Sequence, residues 1–269
     1  MPRFKVFLEY EGTRYRGWQV QTGQIGTRTV QGEIIGVLRR ILKTTEFEFY
    51  GAGRTDAGVH ALMQISHLDV KTMLAPEIIR MRINDELPAD INIIEIEKAR
   101  PTFHARHDAV ARSYLYQISR RRTALGKRFV WWIKDNLDVE QMRSAARLFD
   151  GMKNLQSFTA DDPEEKSTTV LIEPIEMKES GDLILVRICG SHFLWKLVRR
   201  MVGIMVEAGR GKLPLDRIER YLEERSGEPS RLIAPPSGLF LERVYYKGDR
   251  RLEHLEPVMT VGMYNRRPI

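Results

Sequence analysis

Apolar and polar positions alternate from the start of the chain. Phe4, Val6 and Leu8 are interleaved with Lys5 and Phe7, the period-two pattern of a strand. Val30, Ile34, Val37, Leu38 and Ile41 then recur at helical spacing behind Thr29, a residue suited to cap a helix N-terminus. Residues 46–50 and 62–70 read as strands. Residues 75–84 read as a helix carrying Ile78, Ile79 and Ile83, and 91–96 as a closing strand. The order strand–helix–strand–strand–helix–strand is that of a ferredoxin-like unit.

A second half repeats the rhythm without residue-level repetition. Residues 110–119 predict a strand, and 139–149 a helix with Met142, Ala146 and Phe149 inward. Residues 168–177 and 183–188 predict a hairpin about Glu179-Ser180-Gly181-Asp182. Helices are expected over 193–208 and 215–222, and a last strand over 239–245. Loops are expected at 23–29, 101–105, 161–166 and 228–237. The pattern predicts an α+β fold of two ferredoxin-like halves, 1–104 and 105–246, joined in a mixed sheet with a central cleft. A tail, 247–269, is left without an assigned element.

Composition narrows the class. The chain has 269 residues, 42% hydrophobic and 29% charged, enough to bury a substantial core. A net charge of +7 favours a polyanionic partner. The single cysteine, Cys189, excludes an internal disulfide and suits a reducing compartment. No signal peptide is expected from the first residues. Charges at Lys196, Arg199 and Arg200 interrupt the longest apolar stretch, so a cytoplasmic protein without a membrane anchor is expected.

The densest candidate chemistry lies in Gly51-Ala52-Gly53-Arg54-Thr55-Asp56-Ala57-Gly58-Val59-His60. Glycines allow a tight turn and close approach by another molecule. Arg54, two residues from Asp56, favours an ionised carboxylate, which can act as a nucleophile. The same residues also suit an ordinary Asx turn. A dinucleotide or P-loop phosphate cradle is not supported, because neither the third glycine nor Gly-Lys-Ser/Thr is present. His104 and His107 lack the further ligands a metal site needs.

The string Gly-Arg-Thr-Asp-Ala-Gly-Val-His resembles the catalytic motif of the tRNA pseudouridine synthase A family. Further stretches resemble that family in the same order. These are Gly12 to Gln19, with Glu11 where Asp is usual, and Asn84-x-x-Leu87-Pro88-x-Asp90-Ile91. Phe103-His104-Ala105-Arg106 leads into Arg112-x-Tyr114-x-Tyr116. Gly190-x-x-Phe193-Leu194 leads into Val198-Arg199 and Val202-Gly203, with Leu197 where Met is usual, and Pro235-x-x-Gly238-Leu239-x-Leu241 follows. The resemblance covers roughly residues 3 to 246.

It implies that Asp56 is the catalytic nucleophile, supported by Arg54, Tyr114 and Arg199, with Arg199 paired to Asp56. It places Tyr116 in a structural role or in support of the active-site residues, and leaves Arg200 as a surface charge. It further implies a homodimer acting on uridines 38, 39 and 40 of the tRNA anticodon stem-loop, without cofactor or metal. Residues expected to touch RNA are Arg14, Tyr15, Trp18 and Gln19, where cations and aromatics interleave. Arg106 and Arg112 are further candidates, as are the basic-loop residues Arg120, Arg121, Arg122 and Lys127. Two other readings stay open: a non-catalytic RNA-binding protein of two ferredoxin-like units, and a glycosidase-like enzyme with paired carboxylates. Asp108 is the nearby second carboxylate, and nothing in the spacing turns it toward Asp56.

Overall fold

In the computed structural model, residues 1–21, 26–159 and 167–261 are described. The loop expected at 161–166, residues 23–25 of the loop expected at 23–29, and residues 262–269 of the tail lie outside them. The elements run β1 (Arg3–Tyr10), α1 (Val30–Leu42), β2 (Phe47–Gly51), β3 (His60–Val70), α2 (Pro76–Glu86), β4 (Ile91–Ala99), β5 (Ala109–Ser119) and β6 (Trp131–Trp132). Then follow α3 (Val139–Arg147), β7 (Gly151–Asn154), β8 (Thr169–Ile172), β9 (Glu176–Ser180), β10 (Leu183–Gly190), α4 (Leu197–Gly209), α5 (Leu215–Glu223) and β11 (Leu239–Tyr246). The chain is α+β. It divides into two compact units, Met1–Val110 with Phe240–Arg250, and Ala111–Leu239 with the segment from Arg251 onward.

In the first unit β1 lies antiparallel between β4 and β3. The far edge of β3 pairs antiparallel with β2 and, at its start, parallel with β11, so the sheet is mixed. The order β4-β1-β3-β2 is that of a βαββαβ unit. Phe4, Val6 and Leu8 are buried as the alternation requires, and Ile34, Val37 and Leu38 of α1 are buried with them. The Thr29 hydroxyl accepts from the Gly32 N–H at 3.2 Å, the capping bond its position predicts. In α2, Pro76 opens the helix and Ile79 and Ile83 face inward, whereas Ile78 is exposed. Residues 78 and 79 sit about 100° apart on a helix, so one had to face out.

The second unit orders its strands β5-β10-β8-β7, with β6 beside β5 and β9 beside β10. The expected hairpin is present: Leu183 pairs with Ser180 across a turn in which Gly181 has φ of 59°. The single strand expected over 168–177 is instead two, β8 and β9. Pro174 lies between them and cannot donate to a ladder. The helix expected from Phe193 starts at Leu197, because Lys196 adopts a left-handed φ of 61°. Two short strands, β6 and β7, carry too few residues for a period to show. No helix among the described residues is long and apolar enough to cross a membrane.

In α4, Gly203 lies against the chain at Leu232; a Cβ there would sit 2.0 Å from the Leu232 carbonyl oxygen. Backbone cannot yield as a flexible side chain does. Gly203→Ala is therefore expected to lower stability in urea unfolding by about 1–3 kcal/mol through overpacking.

Candidate active site

The turn carrying Asp56 joins β2 to β3 and is gripped by the segment 12–18 of the same unit. The Trp18 N–H donates to the Thr55 carbonyl at 3.1 Å, and the Gly58 N–H donates to the Tyr15 carbonyl at 3.3 Å. From its own strand, the buried Gln64 amide donates to the Gly53 carbonyl at 3.0 Å. The Tyr10 and Thr55 hydroxyls share a buried hydrogen bond of 2.8 Å. Within the turn the Val59 N–H donates to the Asp56 carbonyl at 3.2 Å, and Gly58 takes φ of 80°. Asp56 is thereby left half-buried and Arg54 exposed, with the backbone around them fixed.

Glycine is required where the two segments meet. A Cβ on Gly12 would fall 1.9 Å from the Val59 carbonyl oxygen, and one on Gly17 2.6 Å from that of Thr55. Gly17 also has φ of 96°. Gly51 makes room for the Trp18 ring, 2.7 Å from where its Cβ would be. Trp18 is 1% exposed, between Tyr10 and Phe49 at ring separations of 5.9 and 6.2 Å. Tyr15 is 2% exposed, donates its hydroxyl to Asp90 and lies under the Arg28 guanidinium. Burial and the Asp90 carboxylate push its phenol pKa well up.

These positions correct the expectation that Tyr15 and Trp18 stack on RNA. Their rings are consumed in holding the turn, leaving exposed Arg14 and half-buried Gln19 as the outward members of those four candidates.

The segment after β4 is equally anchored. Ala105 donates its N–H to His67 Nδ1 at 3.2 Å and accepts from the Tyr246 hydroxyl at 2.8 Å, leaving Arg106 exposed. Burial, with the positive charges of Arg3 and His104 nearby, pushes the His67 pKa down to about 4. His104 is also lowered, by burial and by His107. Among the described residues no group of three or more His, Cys, Asp or Glu side chains is placed to hold a metal ion.

In the second unit, Tyr114 and Tyr116 share a face of β5. Tyr114 packs edge-on against Phe193 at 4.9 Å and is 9% exposed. Tyr116 is fully buried and donates its hydroxyl to the Pro235 carbonyl at 2.8 Å. Burial raises its pKa well above that of an ordinary phenol, so it stays protonated as a donor. Gly238 lies against its ring, where a Cβ would stand 2.7 Å from the edge. The Pro235-x-x-Gly238 motif thus seats Tyr116.

Arg199, in the first turn of α4, is tied to the same segment. Its Nε donates to the Ala234 carbonyl at 2.8 Å, while the Ala234 N–H donates to the Arg199 carbonyl at 2.9 Å. The guanidinium remains half-buried. Arg200, expected on the surface, is instead 5% exposed: α4 is enclosed on nearly every side, so its next position turns inward. Arg112 donates to the Ser191 carbonyl at 3.1 Å. Arg120 pairs with Glu179, Arg121 lies 3.4 Å from Asp182, and Arg122 sits over the Trp132 ring at 5.7 Å; Lys127 is exposed. Gln64, which holds the Gly53 carbonyl, was missed by sequence reasoning. The one signal for it is a glutamine inside the apolar run of β3.

Two outcomes test this geometry. Gly17→Ala forces a left-handed residue against Thr55, and thermal unfolding is expected to show about 1–3 kcal/mol of lost stability. His67 binds a proton far less readily folded than unfolded, where its pKa is about 6.5. Its contribution is therefore complete above pH 6.5 and is lost as pH falls toward 4, by up to about 3 kcal/mol. Urea titrations at pH 7 and 4.5 are expected to show this loss in the wild type and a smaller one in His67→Gln.

A family model described as tRNA pseudouridine synthase matches residues 6–108 and 145–247, which hold Asp56, Arg54 and Arg199. A protein named tRNA pseudouridine synthase A from Geobacillus sp. (strain WCH70) is 36% identical over 246 residues, covering 91% of this chain and 98% of that protein. Its namesake from Anaplasma marginale (strain Florida) is 36% identical over 248 residues, covering 91% of this chain and all of the other. A third, from Geobacillus kaustophilus (strain HTA426), is 34% identical over 249 residues, covering 92% and 95%. The chain belongs to the tRNA pseudouridine synthase family.

Proposed function

We propose that this protein isomerises uridine to pseudouridine in tRNA, with Asp56 as the nucleophile. The reaction breaks the C1′–N1 glycosidic bond and forms a C1′–C5 bond to the same uracil. The C5 proton is lost and N1 gains one. Atoms and oxidation state balance within the substrate, so no electron carrier is consumed. What the chemistry needs is an ionised carboxylate at fixed position and a pocket that retains the detached base.

The observation that carries this reading is the gripped turn. Asp56 is half-exposed while the backbone beside it, at Gly53, Thr55 and Gly58, is bonded to buried elements of the first unit. Preorganisation of this kind lowers the cost of reaching a reactive geometry. Arg54 is assigned to orient the carboxylate or a neighbouring phosphate. Tyr114 is assigned to stack on the extruded uracil and Arg199 to support the carboxylate, both on their motif positions. Each half of the chain is read as a ferredoxin-like unit. A homodimer in the cytoplasm, acting on the anticodon stem-loop, is part of the same proposal. Extruding a paired uridine costs about a few kcal/mol, which backbone contacts by the basic loop and Arg106 would offset.

Asp56→Asn tests the assignment, since it keeps shape and removes the nucleophile. With unmodified tRNA transcripts, turnover is expected to fall by more than about 10⁴-fold while the tRNA Kd stays within about twofold. Binding by both proteins with no pseudouridine formed by either would assign the chain to the non-catalytic RNA-binding class instead.

A further inference from the structure

The tail beyond Arg250 lies outside the matched family region, yet it is bound to the second unit along its described length. Arg251 pairs with Glu173 at 2.5 Å, and Lys178 of β9 with Glu256 at 2.7 Å. Arg187, 3% exposed in β10, donates to the His254 carbonyl at 2.6 Å. Leu255 is buried. The tail then reaches the loop between β5 and β6. Gln117, fully buried in β5, accepts from the Val258 N–H at 2.7 Å through Oε1. Through Nε2 the same amide donates to the Phe129 carbonyl at 2.9 Å, within that loop. Met259 and Val261 close on Gly126, their side chains 3.2 and 3.9 Å from where its Cβ would stand.

The loop is thus held from two sides. At its start Arg120 and Arg121 are engaged by Glu179 and Asp182 of the β9–β10 hairpin. At its far end Gln117 and the tail fix the stretch 126–129, leaving Lys127 and Arg128 exposed. We propose that residues 251–261 are a brace that holds the basic loop 120–129 in the shape its tRNA phosphate contacts require. This rests on the tRNA reading given above, but the mechanical part can be measured without RNA. A two-ended amide such as Gln117 couples its partners: losing the Val258 N–H leaves a buried acceptor unsatisfied and loosens the grip on Phe129.

Four proteins separate the alternatives: wild type, a chain ending at Val261, a chain ending at Arg250, and Val258→Pro, which removes the donating N–H at an exposed residue. Charge is separated by comparing the two truncations. Going from the chain ending at Val261 to the chain ending at Arg250 removes Arg251 with Glu253 and Glu256 and makes the chain more positive, so charge alone predicts tighter, not weaker, tRNA binding at that step. For the chain ending at Arg250 and for Val258→Pro, amide hydrogen exchange over 120–129 is expected to speed up. Both should bind an unmodified tRNA transcript about tenfold more weakly, with a salt dependence shallower by about one to two phosphate contacts. Turnover at saturating tRNA should be unchanged. The chain ending at Val261 should match wild type. Unchanged exchange and affinity in the Arg250 truncation would overturn the brace, as would a Val261 truncation already as weak. Absence of pseudouridine formation by the wild type would instead overturn the functional reading, while the exchange data still decide the brace.

Discussion

The arrangement depends on one constraint: the backbone of the Asp56 turn must lie against the backbone of residues 12–18 at contact distance. Two peptide chains can approach so closely only where no Cβ intervenes, which is why Gly12 and Gly17 stand at the crossing. Their carbonyl and amide groups then satisfy one another, Trp18 with Thr55 and Tyr15 with Gly58. A turn held this way by partners distant in sequence has few alternative conformations. Asp56 inherits that order without being buried itself.

The second unit uses the same device on different residues. Ala234 exchanges two hydrogen bonds with Arg199, one from its side chain and one to its backbone, and Gly203 lets the α4 backbone reach Leu232 a turn later. Pro235 and Gly238 receive the hydroxyl and the ring of Tyr116. In both units the glycines and prolines of the motifs serve close approach, and the charged or phenolic residue beside them is what they position. A buried amide recurs as the joint: Gln64 under the Asp56 turn, Gln117 between the basic loop and the tail.

Much of this was legible in the chain, because hydrophobic period reports which face of an element is buried. It found β1, α1 with its Thr29 cap, and the β9–β10 hairpin. Period does not report interruptions by a single residue, so the break at Pro174 and the late start of α4 at Lys196 were missed. The identity of Asp56 as the residue of interest came from a motif, whereas the grip that orders it could not. Aromatics interleaved with arginines in residues 14–18 look alike whether they face RNA or the core, and here Tyr15 and Trp18 face the core. Arg200 shows the converse failure, since a charged residue in an apolar helix reads as exposed until the helix is seen to be enclosed.

The grip of residues 12–18 on the Asp56 turn is the central claim, and Trp18→Leu addresses it most directly. The variant keeps an apolar side chain and the donating N–H but loses the contacts that seat the segment on Gly51, Tyr10 and Phe49. Turnover at saturating tRNA and the tRNA Kd, measured on the same folded sample, give opposite answers for the two roles of this tryptophan. The account predicts that turnover falls while Kd is preserved. A weakened Kd at undiminished turnover would contradict it and return Trp18 to the RNA-binding surface.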